Sequence, residues 1–275
     1  MNLKTVDFYY FSGTGNTFLV VKKMQETFQK NGIEAIMHRI ENSDPEKVNL
    51  NNTIGLGFPV AELSTYEFVW KFVKALPQSE GTEIFMVDTL GGVSGGIVGR
   101  MREIVKKKGY VPIGAKEIIM PPNIFYIQDE ETNKNKIEKG LIKAEEYADE
   151  IINGKSKWGR VPLLSDAVYY TSLLGLKITE TDLNQKFMYL TADKEKCNKC
   201  GTCVKLCPID NIKIGNDQYP ENLMHCQYCL RCTSFCPKDA IPCKFNYKGK
   251  TYSAVKSNEF LDKEENLFKR NINCN

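Results

Sequence analysis

The chain has 275 residues, more than one small domain requires, and its 42% hydrophobic and 26% charged residues are typical of a globular protein. No stretch approaches the roughly 18 consecutive apolar residues of a membrane span. Asp7 interrupts any apolar segment near the N-terminus, so no signal peptide is predicted and a cytoplasmic location is expected.

Hydrophobic periodicity alternates between strand-like and helix-like segments over the first 153 residues. Strands are predicted at 4–11, 33–40, 53–58, 83–88 and 111–119. Helices are predicted at 16–31, 65–76, 95–108 and 132–153. This alternation is typical of an α/β domain with a parallel sheet wrapped by helices, in which ligands bind at the carboxyl ends of the strands.

A glycine-containing loop links the first strand to the first helix, with the sequence Ser12-Gly13-Thr14-Gly15-Asn16-Thr17. Backbone N–H groups and the positive end of the helix dipole favour a phosphate there, and three hydroxyls add donors. No lysine follows Gly15, which excludes the P-loop of nucleotide triphosphatases, and Phe18 stands where a dinucleotide fingerprint needs its third glycine. The loop therefore suits a terminal phosphate monoester, with an ordinary turn before a helix as the alternative.

This loop resembles the S/T-x-T-G-x-T phosphate loop of flavodoxins. The resemblance implies a flavodoxin-like, doubly wound, five-stranded parallel sheet that binds FMN through Ser12, Thr14, Gly15, Asn16 and Thr17. In flavodoxins the loops after the third and fourth strands enclose the flavin ring, which here implies Phe58, Pro59, Val60, Thr89, Leu90, Gly91 and Gly92. Flavodoxins usually stack an aromatic side chain on the ring. The candidates are Phe58 and Tyr66, and either is equally compatible with a core position.

Eight cysteines form two identical runs of C-x2-C-x2-C-x3-C-P, offset by 29 residues. They are Cys197, Cys200, Cys203, Cys207, Cys226, Cys229, Cys232 and Cys236. Three closely spaced thiolates reach three irons of one cubane cluster, and the fourth ligand comes from the other run. Disulfides require an oxidising compartment and zinc sites use C-x2-C pairs set apart by longer loops, so both alternatives are disfavoured.

The segment 191–243 closely resembles the bacterial two-cluster ferredoxins, which implies a small α+β domain with two [4Fe-4S] clusters. The first cluster is predicted on Cys197, Cys200, Cys203 and Cys236, and the second on Cys226, Cys229, Cys232 and Cys207. An oxidised cluster with four thiolates carries about two negative charges. That charge offsets the basic excess of the C-terminal half, so no nucleic-acid partner is expected.

Taken whole, the chain resembles the flavodoxin–ferredoxin fusion proteins of anaerobic prokaryotes. We divide it into a flavodoxin-like FMN domain (1–153), a helical linker packed between domains (154–190), a ferredoxin-like domain (191–245) and a C-terminal tail (246–275). The resemblance implies an electron-transfer protein of anaerobic metabolism that couples one-electron clusters to FMN, which holds one or two electrons, and that exchanges electrons with redox partner proteins.

Two other functions stay open at this stage. An FMN-dependent reductase would pass cluster electrons over the flavin to a small-molecule acceptor. A binding module without flavin would leave the 12–17 loop without a cofactor. No acid–base pair or nucleophile stands out in the sequence, which favours an electron carrier over an enzyme.

Overall fold

The computed structural model describes residues 3–92, 95–159, 190–257 and 259–260. The five strands of the first sheet are β1 (Thr5–Tyr10), β2 (Glu34–Arg39), β3 (Thr53–Pro59), β4 (Glu83–Leu90) and β5 (Val111–Ile119). Its helices are α1 (Asn16–Lys30), α2 (Glu67–Ala75), α3 (Ile97–Lys107) and α4 (Glu130–Ile152). The predicted strands and helices of this half are confirmed, each boundary lying within two residues of the predicted one.

The strands run parallel in the order β2-β1-β3-β4-β5. This is the flavodoxin-like doubly wound order, and it confirms the predicted fold class. The chain leaves β1 toward β2 on one side and returns to β3 on the other, which makes the carboxyl ends of β1 and β3 the switch point. Loops that follow these two strands therefore form the ligand crevice.

Each face of the sheet has its own apolar core. The rings of Phe8 and Phe85 meet edge to face at 5.2 Å under α1 and α4. Gly55 in β3 lies directly beneath both rings, and a Cβ there would stand 2.7 Å from Phe85 and 2.8 Å from Phe8. Glycine is therefore required at this position by the close packing of the two aromatic rings.

The cysteine-rich segment adds a small α+β unit, as predicted. It contains the short helices α5 (Thr202–Leu206) and α6 (Arg231–Ser234) and an antiparallel pair of strands, β6 (Ile212–Ile214) and β7 (Pro220–Asn222). Residues 160–189, which hold most of the predicted helical linker, lie outside the described residues. Just before them, Trp158 is buried and donates its indole N–H to the carbonyl oxygen of Val98 at 2.9 Å. In the described ranges, no helix is both long and apolar enough to cross a membrane.

Asp88 in β4 is fully buried, and neither carboxylate oxygen has a hydrogen-bond partner within the described chain. Desolvation, with a smaller contribution from Glu117, raises the pKa of Asp88 well above its ordinary 3.8. The folded protein thus keeps a proton that the unfolded chain releases. Stability is highest below the ordinary pKa and falls as the pH rises toward the folded pKa.

We therefore expect Asp88→Asn to increase the free energy of unfolding at neutral pH by about 1–3 kcal/mol and to change it little near pH 3. Urea denaturation at the two pH values measures this difference. Asp149→Asn, at an exposed position of α4, is the matched control and should be neutral at both. An equal gain at both pH values for Asp88→Asn would contradict the ionisation argument.

Candidate cofactor and metal sites

The predicted phosphate loop is buried at the carboxyl end of β1. Gly15 caps α1 with a left-handed backbone, φ +96°, which glycine adopts without strain. Its N–H donates to the Ser12 hydroxyl at 3.2 Å. The hydroxyls of Thr17 and Thr89 lie 2.8 Å apart, which joins the loop to the end of β4. The loop is held in a fixed shape with its polar groups at a helix N-terminus.

A cavity opens beside this loop. Its lining includes most of the predicted cofactor residues: Ser12, Thr14, Asn16, Thr17, Pro59, Val60, Thr89, Leu90 and Gly91. Three predicted residues do not line it. Gly15 forms the turn before α1, and Gly92 is exposed. Phe58 is fully buried in the apolar core on the α2 and α3 side of the sheet.

A second, larger cavity shares a wall with the first, formed by Pro59, Val60, Tyr66, Asn123 and Ile124. We call it the ring cavity, after the aromatic rings that line it. Of the two aromatic candidates, Tyr66 lines both cavities and Phe58 lines neither.

Other residues of the ring cavity were missed by sequence reasoning. Tyr228 and Phe245 come from the cysteine-rich half, and Phe125 comes from the loop after β5. Their rings meet in series, with Phe245 edge to face against Phe125 at 6.1 Å and against Tyr228 at 5.9 Å. The Tyr228 hydroxyl is buried without a hydrogen-bond partner in the described chain. A buried orphan hydroxyl in a cavity wall is a position where a polar ligand atom would be bound.

The structure sorts the eight cysteines into two cavities. One cavity is lined by Cys207, Cys226, Cys229 and Cys232. Another is lined by Cys197, Cys200, Cys203 and Cys236. This is the same partition that the spacing predicts for the second and first clusters. Among the described residues no cysteine forms a disulfide. No group of three or more His, Cys, Asp or Glu side chains in these residues is placed to hold a single metal ion.

The two cysteine runs repeat in backbone geometry as well as in sequence. The N–H of Asn211 donates to Cys207 Sγ at 3.2 Å, and 29 residues later the N–H of Ala240 donates to Cys236 Sγ at 3.3 Å. A left-handed backbone likewise precedes each short helix, at Gly201 before α5 and at Leu230 before α6. The N–H groups of Asn211 and Ala240 point at sulfur, where they stabilise thiolate charge.

The second set of cysteines lies deeper than the first. Cys232 is buried, whereas Cys200 of the first set is exposed. Burial raises the pKa of Cys226 to about 12 and that of Cys229 to about 11.

The second cysteine set packs directly against the phosphate loop. A Cβ built on Gly13 would collide with the carbonyl oxygen of Cys229, so the two backbones touch. The buried Arg231 donates through Nε to the Ser12 carbonyl oxygen at 3.1 Å and through Nη1 to the Glu41 carboxylate. The two halves of the chain are therefore joined at the predicted phosphate site.

Residues 250–257 form a strap over the start of α1, a role that the sequence did not indicate for the predicted tail. The N–H of Ala254 donates to the Thr14 carbonyl oxygen at 2.8 Å. The Tyr252 hydroxyl donates to Asn16 Oδ1 at 2.8 Å, while Asn16 Nδ2 donates to the Pro121 carbonyl oxygen at 2.9 Å. The strap fixes the orientation of the Asn16 side chain.

Removing the strap hydroxyl with Tyr252→Phe is expected to lower the free energy of unfolding by about 1–2 kcal/mol, because Asn16 Oδ1 loses its buried donor. Tyr247→Phe is the matched control, since the Tyr247 side chain is 74% exposed. Urea denaturation of both variants measures the difference. Equal effects of the two substitutions would contradict a role for the strap.

Comparison with known proteins agrees with the cysteine pattern. A model of the 4Fe-4S dicluster domain matches residues 189–251. A ferredoxin of Alicyclobacillus acidocaldarius is 34% identical over 71 residues, 26% of this chain and 83% of that protein. A ferredoxin of Methanothermococcus thermolithotrophicus is 34% identical over 58 residues, 20% of this chain and 97% of that protein. Through its C-terminal part, the chain belongs to the ferredoxin family.

Solved structures similar to this ferredoxin-family protein include flavodoxins. One is the flavodoxin of Streptococcus pneumoniae TIGR4, with 11% identity, 54% of this chain and 98% of that chain covered, and a TM-score of 0.43. Another is the flavodoxin of Megasphaera elsdenii, with 19% identity, coverage of 50% and 98%, and a TM-score of 0.38. The fold of the N-terminal half follows from its own strand order. A flavodoxin-like sheet joined to a 4Fe-4S ferredoxin domain supports an electron-transfer role.

Proposed function

We propose that this protein carries electrons between two [4Fe-4S] clusters and FMN, and so couples one-electron to two-electron carriers in anaerobic metabolism. The observation that supports it best is a shared wall: Cys226, Gln227 and Leu230 line both the second cysteine cavity and the ring cavity. A cluster and a flavin on opposite sides of one short segment lie close enough for electron exchange, which weakens steeply with distance. We place the protein in the cytoplasm, with domain limits of 1–153 and 191–245.

For the clusters, the first is assigned to Cys197, Cys200, Cys203 and Cys236, and the second to Cys207, Cys226, Cys229 and Cys232. The separation of the eight sulfurs into two cavities supports this assignment, as do the backbone N–H groups of Asn211 and Ala240 that point at sulfur. The exposed Cys200 makes the first cluster the point of contact for redox partner proteins.

For FMN, the smaller cavity suits the phosphate and its linked chain, and the ring cavity suits the flavin. Bound FMN would supply a centre that holds one or two electrons. The phosphate would accept hydrogen bonds from the loop Ser12–Thr17 at the N-terminus of α1. Tyr66 and the loops at Pro59–Val60 and Thr89–Gly91 would orient the ring and exclude water from it. The orphan hydroxyl of Tyr228 offers a donor toward a polar edge of the ring.

Quantifying cofactors in anaerobically reconstituted protein tests the proposal. We expect about eight irons, about eight sulfides and about one FMN per chain. Flavin absorption should appear near roughly 375 and 450 nm above the broad cluster absorbance. Protein that holds eight irons but does not retain FMN would overturn the flavin part of the proposal, and protein with only four irons would overturn the two-cluster part.

A reductase is a second candidate because the ring cavity reaches the surface. Phe125 lines this cavity and is 72% exposed. A small acceptor entering beside Phe125 would meet the flavin without touching the clusters. Steady-state reduction of a quinone by the loaded protein, with saturation in the quinone, would favour the reductase. Its absence, together with electron exchange with a ferredoxin or flavodoxin partner, would favour the carrier.

A further inference from the structure

Arg231 is a buried cation placed between two predicted ligands of the second cluster, Cys229 and Cys232. Its side chain is 3% exposed. Besides its bonds to Ser12 and Glu41, Nη1 donates to the Leu206 carbonyl oxygen at 3.3 Å, one residue before the ligand Cys207. The guanidinium stands 4.5 Å from the centre of the Phe11 ring. The side chain is thus fixed from several directions.

One nitrogen of this guanidinium, Nη2, makes no hydrogen bond within the described chain. Arg231 lines the second cysteine cavity, and its Nη2 is buried with no hydrogen-bond partner in the described chain. An unpartnered N–H group of a buried cation is costly unless it finds an acceptor. The sulfur atoms of a cluster in this cavity would be such acceptors, because hydrogen bonds to cluster sulfur are common in iron–sulfur proteins and shift the potential.

Comparison of the two cysteine runs shows that this charge lies beside the second set and has no equivalent in the first. The position 29 residues before Arg231 is Thr202, an uncharged residue whose hydroxyl lies 3.2 Å from Cys200 Sγ. A cation near the first set is Lys205, which is exposed and screened by water. Glu41 partly offsets Arg231, but Arg231 is among the residues that line the cavity and Glu41 is not.

We propose that Arg231 positions the second cluster against the phosphate loop and raises its reduction potential above that of the first. This inference rests on the proposed two-cluster electron transfer. Reduction adds one negative charge to a cluster, and a buried cation in a low dielectric stabilises that charge strongly. In this transfer one electron would pass from the reduced first cluster to the oxidised second cluster. No bond would be formed or broken, and no proton would move. The exposed cluster thereby becomes the entry point and the buried one the relay to the ring cavity.

A redox titration of the reconstituted protein, followed by absorbance and electron paramagnetic resonance, tests this directly. We expect Arg231→Met to lower the potential of one cluster and leave the other unchanged, with a shift of at least about tenfold in the equilibrium between them, or about 59 mV. Arg231→Lys should restore much of the difference, since it keeps the charge. Lys205→Met is the matched control. Because the Lys205 charge is exposed and screened by water, this substitution should shift either potential far less than Arg231→Met does.

A second variant tests whether misfolding of Arg231→Met could explain the shift. The double substitution Arg231→Met with Glu41→Leu replaces the buried ion pair by apolar side chains, which proteins often tolerate. It should shift the same cluster in the same direction but by less, because the opposing Glu41 charge is removed as well. Two cluster potentials unchanged in both variants, or shifted equally, would overturn the proposal. That result is distinguishable from failure of the proposed function, because the cluster potentials are measurable in protein that retains no FMN.

Discussion

Replacing Cys232 with serine is expected to remove about half of the iron and sulfide, because one of two four-iron clusters loses a ligand. Cys232 lies in the buried cavity next to the phosphate loop. We expect Cys203→Ser, in the other cavity, to cost the same amount of iron. Only Cys232→Ser should also slow reduction of the flavin by electrons already on the remaining cluster, because it removes the cluster beside the ring cavity.

Cys243→Ser supplies the matched control for these variants. Cys243 is 1% exposed, compared with 9% for Cys232, but it lines neither cysteine cavity. Full iron content in Cys243→Ser and about half in the other two would assign the loss to ligation rather than to a disturbed core. Full iron content in Cys232→Ser, or half in Cys243→Ser, would contradict the ligand assignment.

Replacing Gly13 with alanine is expected to separate the two halves of the site. The new Cβ would collide with the backbone carbonyl of Cys229, which cannot rotate away as the end of a side chain can. The phosphate loop or the cysteine loop must then move, and the neighbouring bond from Arg231 to the Ser12 carbonyl oxygen is strained with it. We expect FMN affinity to fall at least about tenfold, or about 1.4 kcal/mol.

The measurement is an FMN titration of reconstituted protein, with iron content determined on the same sample. Gly159→Ala is the matched control, because a Cβ there meets no atom within 4 Å. Undiminished FMN affinity in Gly13→Ala would show that the contact between the two loops is not needed for the flavin site. Equal losses in both variants would point to a general effect of replacing glycine.

Local patterns explain why so much of the fold was predictable. The α/β alternation, the glycine turn at Gly15 and the cysteine spacing each depend on residues close in sequence. The core position of Phe58 was also within reach, because the two-residue period of β3 places it on one face with Ile54 and Leu56.

The contacts that join the two halves could not be predicted in this way. Arg231 and Ser12 are 219 residues apart, and the strap residue Tyr252 is 236 residues from Asn16. Periodicity and spacing describe single elements and give no information about which surfaces of distant segments meet. The ring cavity could not be predicted for the same reason, since Tyr228 and Phe245 line it only when the cysteine-rich half packs onto the sheet.

In the proposed function, the clusters and the flavin exchange electrons within one molecule. Rapid anaerobic mixing of the reconstituted protein with a substoichiometric one-electron reductant, with cluster and flavin absorbance followed separately, tests this. We expect cluster bleaching followed by flavin bleaching, with a first-order rate constant for the second phase that does not depend on protein concentration. A second phase whose rate rises in proportion to protein concentration, or a flavin that stays oxidised while the clusters are reduced, would contradict it.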